Sequence, residues 1–151
     1  MNKYWGHLKT VLKHKYYVGV ECFKVGLYWQ GIIHDLSKFH PDEFLNSVEY
    51  YTGYRSPIGL EKADKGYSEA WLHHAGHNKH HWEYWVDFRE GEILLCPIPD
   101  KYILEMSCDM IGASKSYGTK DPYGYFMKVK NKMLMRAEDK KKLEKLLKDK
   151  Q

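Results

Sequence analysis

Residues 100–118 read DKYILEMSCDMIGASKSYG, and the fold turns on this stretch. Ile103, Met106, Met110 and Ala113 recur at the three- and four-residue spacings of one helical stripe, and Leu104, Cys108 and Ile111 form a second. A helix that is apolar around most of its girth needs neighbours on more than one side, which makes this the central helix. Asp109 sits in its middle, one turn after Glu105. A buried carboxylate costs several kcal/mol unless something charged offsets it, so Asp109 asks for a cationic partner.

Upstream, residues 3–28 read as a first helix, or as two short ones broken near Gly19. His7, Val11, His14 and Val18 share a stripe, so His14 points where the apolar side chains point. Residues 29–39, WQGIIHDLSKF, are expected to be buried through Leu27, Ile32, Ile33, Leu36 and Phe39, which puts His34 and Asp35 at the lip of the core. A new helix starts at Pro41, with acidic residues in its first turn and Phe44, Leu45, Val48 and Tyr51 facing inward. Residues 52–66 are rich in Gly, Pro and charge and read as a loop, a candidate lid.

Ser68 caps the next expected helix, which carries the run His73-His74-Ala75-Gly76-His77-Asn78-Lys79-His80-His81 out to about residue 88. Five of the nine histidines lie in this run. On a continuous helix His73, His77 and His80 share one side, with His74 and His81 on a neighbouring one. Residues 89–99 read as a connection in which EILLC could be extended. Beyond the central helix, about 137–150 form an amphipathic closing helix with Leu143, Leu146 and Leu147 on one face and lysines around the rest. No long alternating pattern appears, so the fold class is all-α, with residues 1–151 as a single helical domain.

Composition narrows the function. Hydrophobic residues make 43% and charged residues 29% of the chain, as in a globular protein. The net charge is +4, but Arg55, Arg89 and Arg136 are the only arginines, which weakens a nucleic-acid reading. Cys22, Cys96 and Cys108 form no CxxC pair and suggest neither a disulfide scaffold nor a thiolate zinc site. The N-terminus lacks the apolar core of a signal peptide, and no apolar run approaches a membrane span, so the expected setting is cytoplasmic. Imidazoles and carboxylates without clustered thiolates suit one or two divalent ions such as Mn, Fe, Co, Ni, Zn or Mg.

His34-Asp35-Leu36-Ser37-Lys38 resembles the HDLGK or HDIGK signature of the HD-domain phosphohydrolase superfamily. The resemblance implies an all-α fold with a metal held by His14, the pair His34 and Asp35, and Asp109 on different helices. His7 is the alternative to His14. In members with two metals a further histidine and an adjacent pair are added. His73 with His80 and His81 could fill those places, His74 or His77 replacing His73, and Asp35 would bridge. Lys38 matches the signature lysine, which can contact a substrate phosphate. Ser37 stands where the signature has glycine, and no GYP-type triplet follows the run, which argues against cyclic dinucleotides. The whole chain also resembles short bacterial and phage proteins with HDLSKF, WLHH…NKHHWEYW and DWIGAS-like stretches and no established activity.

These readings lead to metal-dependent hydrolysis of a phosphate ester or anhydride, with a phosphorylated, nucleotide-like small molecule as partner. Asp35, Lys38 and His77 are the candidate catalytic residues, with Lys79 or Arg55 helping to neutralise phosphoryl oxygens. Trp71, Trp82, Trp85 and Tyr67 are candidates to stack on a base or to pack helices. Two alternatives come from other classes: a metal-stabilised helical binding module without turnover, and a di-iron redox protein.

Overall fold

In the computed structural model, which describes residues 2–150, helices follow one another along the chain with one β-hairpin among them. The fold is all-helical apart from that hairpin. The first helix, α1 (Lys3–Lys24), begins where the Asn2 side chain accepts from the Tyr4 N–H, and it runs unbroken through Gly19. The break expected there does not occur. Gly31 lets α2 (Tyr28–Ile33) approach α1 closely, because a Cβ there would lie 3.0 Å from Cys22 Cβ and from Phe23 Cδ2, whereas one at Gly19 would make only ordinary contact with Gly31 O at 3.5 Å. A 3-10 turn (Leu36–Phe39) leads into α3 (Pro41–Glu49), with Pro41 in its first turn and the His40 ring capping it.

Residues 52–66, expected as a loop, contain α4 (Pro57–Lys65). Its boundaries follow ordinary rules: proline opens the first turn, and Gly66 ends the helix at φ 83°, a conformation glycine adopts without strain. Then α5 (Glu69–His77) starts at Ser68, whose hydroxyl accepts from the Trp71 N–H at 3.0 Å. This helix stops at His77 rather than near residue 88, and Asn78 is already extended at φ −123°. A 3-10 turn (Trp82–Trp85) follows, and β1 (Val86–Arg89) pairs antiparallel with β2 (Glu92–Leu95). Glu90 and Gly91, at φ 52° and 85°, supply the two left-handed residues of a type I′ turn.

The central position belongs to α6 (Asp100–Ser116). One side packs on α1, and the other meets α7 (Pro122–Val129) and α8 (Ala137–Lys148). Ile103, Met106 and Ile111 form the main apolar core with Phe126, Leu143 and Leu147. Between α1 and α6 the apolar contact is small, Val18 and Cys22 against Cys108. At Gly112 the two backbones touch, since a Cβ there would lie 2.7 Å from Val18 N and 2.8 Å from Val18 Cα. The buried Glu21 fastens the same pair of helices by accepting from Lys115 at 2.6 Å. No described helix is long and apolar enough to cross a membrane.

One packing expectation is reversed. Ile32, Ile33, Leu36 and Phe39 face outward, as does Leu45 on α3, although His34 and Asp35 between them are 1% exposed. The turn explains this. Asp35 is left-handed at φ 54°, which swings the chain so that the polar pair points in while its aliphatic flanks point out.

Candidate metal centre

The space bounded by α1, the His34–Asp35 turn, α5 and α6 holds imidazoles and carboxylates where an apolar core would otherwise lie. Asp35 is its hub. Its Oδ2 lies 3.2 Å from His14 Nε2 and 3.4 Å from His34 Nε2, and the Lys38 ammonium is 2.6 Å away. Its Oδ1 lies 3.4 Å from His74 Nε2 and 3.3 Å from His80 Nε2. Asp109, on the α1 side of α6, brings Oδ1 to 3.1 Å from His14 Nε2 and 3.6 Å from His34 Nε2. His81 closes the second group, its Nε2 2.9 Å from that of His74.

Four donor groups arise among the described residues. Two share Asp35, with His14, His34 and Asp109 in one and His74, His80 and His81 in the other, while His34, His80 and Glu105 form a third and His40, Asp42 and His73 a fourth nearer the surface. Each can coordinate a divalent ion. Donors bonded at about 2.1 Å to one ion stand roughly 3 Å apart, and several pairs in each of the two sets that share Asp35 already stand 2.9–3.6 Å apart. A second observation points the same way. Among the described residues five buried polar atoms have no hydrogen-bond partner, His7 Nδ1 and Glu83 Oε2 elsewhere and three here, His34 Nε2, His80 Nε2 and Asp35 Oδ1. Orphaned polar atoms at that depth are costly, and all three belong to the sets that an ion would satisfy.

Outer carboxylates aim these rings. A carboxylate can only accept, so His34 donates from Nδ1 to Glu105 Oε1 at 3.1 Å, which leaves its Nε2 as the lone-pair nitrogen. His80 Nδ1 lies 3.3 Å from the same oxygen. Glu43 on α3 accepts from His74 Nδ1 at 2.9 Å and from His73 Nδ1 at 2.7 Å. Asn78 and Ser37 complete the setting, Asn78 Nδ2 donating to Ser37 Oγ at 2.7 Å and to His74 O at 2.8 Å. The Trp71 ring lies against His74 and His81, centroids 5.6 and 4.8 Å away.

The charges are strongly coupled. Burial raises the Asp35 and Asp109 carboxyls, but the surrounding imidazoles, with Lys38 beside Asp35, overcome it and hold both well below the usual range. Burial lowers His80, yet Asp35 and Glu105 lift it to about 10. His81 is depressed by burial and by the charges of His80 and His74, which favours the unprotonated, metal-binding form.

His14, His34, Asp35, His80, His81 and Asp109 thus converge, and Lys38 joins them. His73 and His77 do not. His73 turns to Glu43, and His77 is exposed, its Nδ1 donating to His73 O at 2.7 Å and its ring stacked on His73. The reason is the early end of α5, after which a turn over Lys79–His80 brings in His80 and His81, so that His74 is the α5 histidine that faces the donor sets. His7 is buried against Phe44 and Tyr51, where burial and the Lys38 charge lower it to about 4. Lys79 lies over the Tyr84 and Tyr102 rings, and Trp82 and Trp85 pack against the main core. Glu43 gave no signal in the sequence, whereas Glu105 stood one turn from Asp109.

A family of unknown function, DUF5662, matches residues 3–149, and the chain belongs to that family. No curated protein and no solved structure matches it.

Proposed function

We propose that this member of the DUF5662 family is a metal-dependent phosphohydrolase of the HD type, acting on a phosphate ester or anhydride of a nucleotide-like small molecule. The observation that carries the reading is Asp35, which offers one oxygen to each donor set and so can bridge two ions. Ions in such a centre lower the pKa of a bound water and polarise a phosphoryl oxygen. The protein's own contribution is placement. His14, Asp109 and Lys38 are 12%, 17% and 26% exposed at the side chain, whereas His34 and Asp35 are nearly sealed. That edge is therefore where a substrate would enter. Lys38, neutralising Asp35 at the mouth, is placed to offset phosphoryl charge.

A cavity of about 240 Å³ lies one turn of α1 away from His14 and could take an organic group of modest size. Thr10 and Ser116 line it with Tyr51, Arg55 and Tyr117. Thr10 is one helical turn before His14 and Ser116 about two turns after Asp109, on helices that run antiparallel, so the cavity lies near the donor sets. Tyr117 and Arg55 can then meet a ring or a second anionic group.

The test uses protein stripped with a chelator and reloaded separately with Mn²⁺, Fe²⁺, Co²⁺, Ni²⁺, Zn²⁺ or Mg²⁺. The expected result is metal-stimulated phosphate or p-nitrophenol release. Lys38→Ala, compared at saturating metal because Lys38 also contacts Asp35, should raise KM about tenfold. Stoichiometric metal without release across nucleotides, phosphomonoesters and phosphodiesters would assign the centre to a structural role instead.

A further inference from the structure

The outward turn of the α2 side chains leaves a face with no partner among the described residues. Leu12, Tyr16 and Phe23 on α1 and Ile32 on α2 line one groove of about 790 Å³, Tyr28 and Trp29 stand one helical turn before Ile32, and all six are 46–67% exposed. At about 200 Å² per large side chain these six expose roughly 700 Å². That exceeds the 300–600 Å² of the largest patch on a typical monomer and approaches the roughly 800 Å² each partner buries in a stable complex.

We propose that this face is the contact between two copies of the chain, α1 and α2 of one seated against α1 and α2 of the other. The area is one argument and the charge pattern another. The only charged side chains lining the groove are Lys15 and Lys24. Lys15 donates to Ile32 O at 2.6 Å and His34 O at 2.8 Å, and Lys24 pairs with Glu21 at 2.8 Å. With both cations engaged internally, the groove offers little to an anionic partner and suits an apolar, self-complementary contact. Leu12, Tyr16, Gly19 and Phe23 follow the four-three-four spacing by which one helix seams against another. The contact would also cover Ile33 and Leu36, which flank the metal-binding turn, and so brace Asp35 from outside.

The test is sedimentation equilibrium of the full chain over a concentration series, with and without divalent ions. The expected mass is twice the 18.0 kDa of one chain. Trp29→Glu and Tyr16→Glu, both at exposed positions, should each return the mass to one chain with the helical circular dichroism unchanged. A wild-type chain that stays single at every concentration overturns the proposal, and so does a dimer that survives both substitutions. Flotation of a single-chain species with anionic phospholipid vesicles would overturn it in favour of a lipid surface.

Discussion

Asp35→Asn should empty both halves of the metal centre at once. The carboxylate is shared, so its loss removes a ligand from the His14–His34–Asp109 set and from the His74–His80–His81 set together. Changing an outer hydrogen-bond partner of a ligand already costs metal affinity about 10- to 100-fold, and loss of a bridging ligand exceeds that. Metal content of protein purified without a tag is expected to fall from near stoichiometric to below about a tenth of that value. Asparagine is suited to the control it provides, because it tolerates the left-handed backbone of residue 35 and keeps the side chain's size. Elemental analysis beside circular dichroism checks the result. His77→Ala, on the outer face, should retain full metal, and equal loss in the two variants would refute the assignment of the sets.

Gly112→Ala should be the most destabilising single methyl in the α1–α6 interface. The added Cβ would sit against the backbone of Val18, which no rotamer change can relieve, so the helices must part. Overpacking of this kind costs about 3 kcal/mol, which corresponds to a melting midpoint roughly 10 °C lower for a chain this size. Because α1 carries His14 and α6 carries Asp109, the same displacement widens their 3.1 Å separation. Thermal melts and metal titration of the variant should therefore fail together. A variant with wild-type melting would show that the helices are not in backbone contact.

Much of this architecture could be read from periodicity. The girth of apolar residues on 100–116 marked a central helix, and the inward-facing His14 and Asp109 marked two of the residues that meet in the candidate centre. The histidine run was legible in composition but not in register. Its helical reading placed His73, His77 and His80 on one side, while the chain leaves the helix at Asn78 and delivers His80 and His81 from a turn. No local pattern announces that exit, since Asn78 is fixed by bonds to Ser37 and to His74 O. Glu43 was illegible for a similar reason. It looks like an ordinary first-turn acid of α3, and its value depends on α5 packing beside it. The burial of His34 and Asp35 was expected from apolar flanks, yet it comes from one left-handed residue that turns those flanks outward.

The uneven division of the interior also bears on how the molecule breathes. Around α6, α7 and α8 the filling is aliphatic and aromatic, and its cohesion needs no added ion. Around α1, α3 and α5 the filling is charge, held by opposite signs that an ion would balance. Chelation should thus loosen the molecule on one side only. Amide hydrogen exchange ought to accelerate in α5 and the His34–Asp35 turn while α8 keeps its protection, and uniform acceleration would mean the two sides open as one cooperative unit.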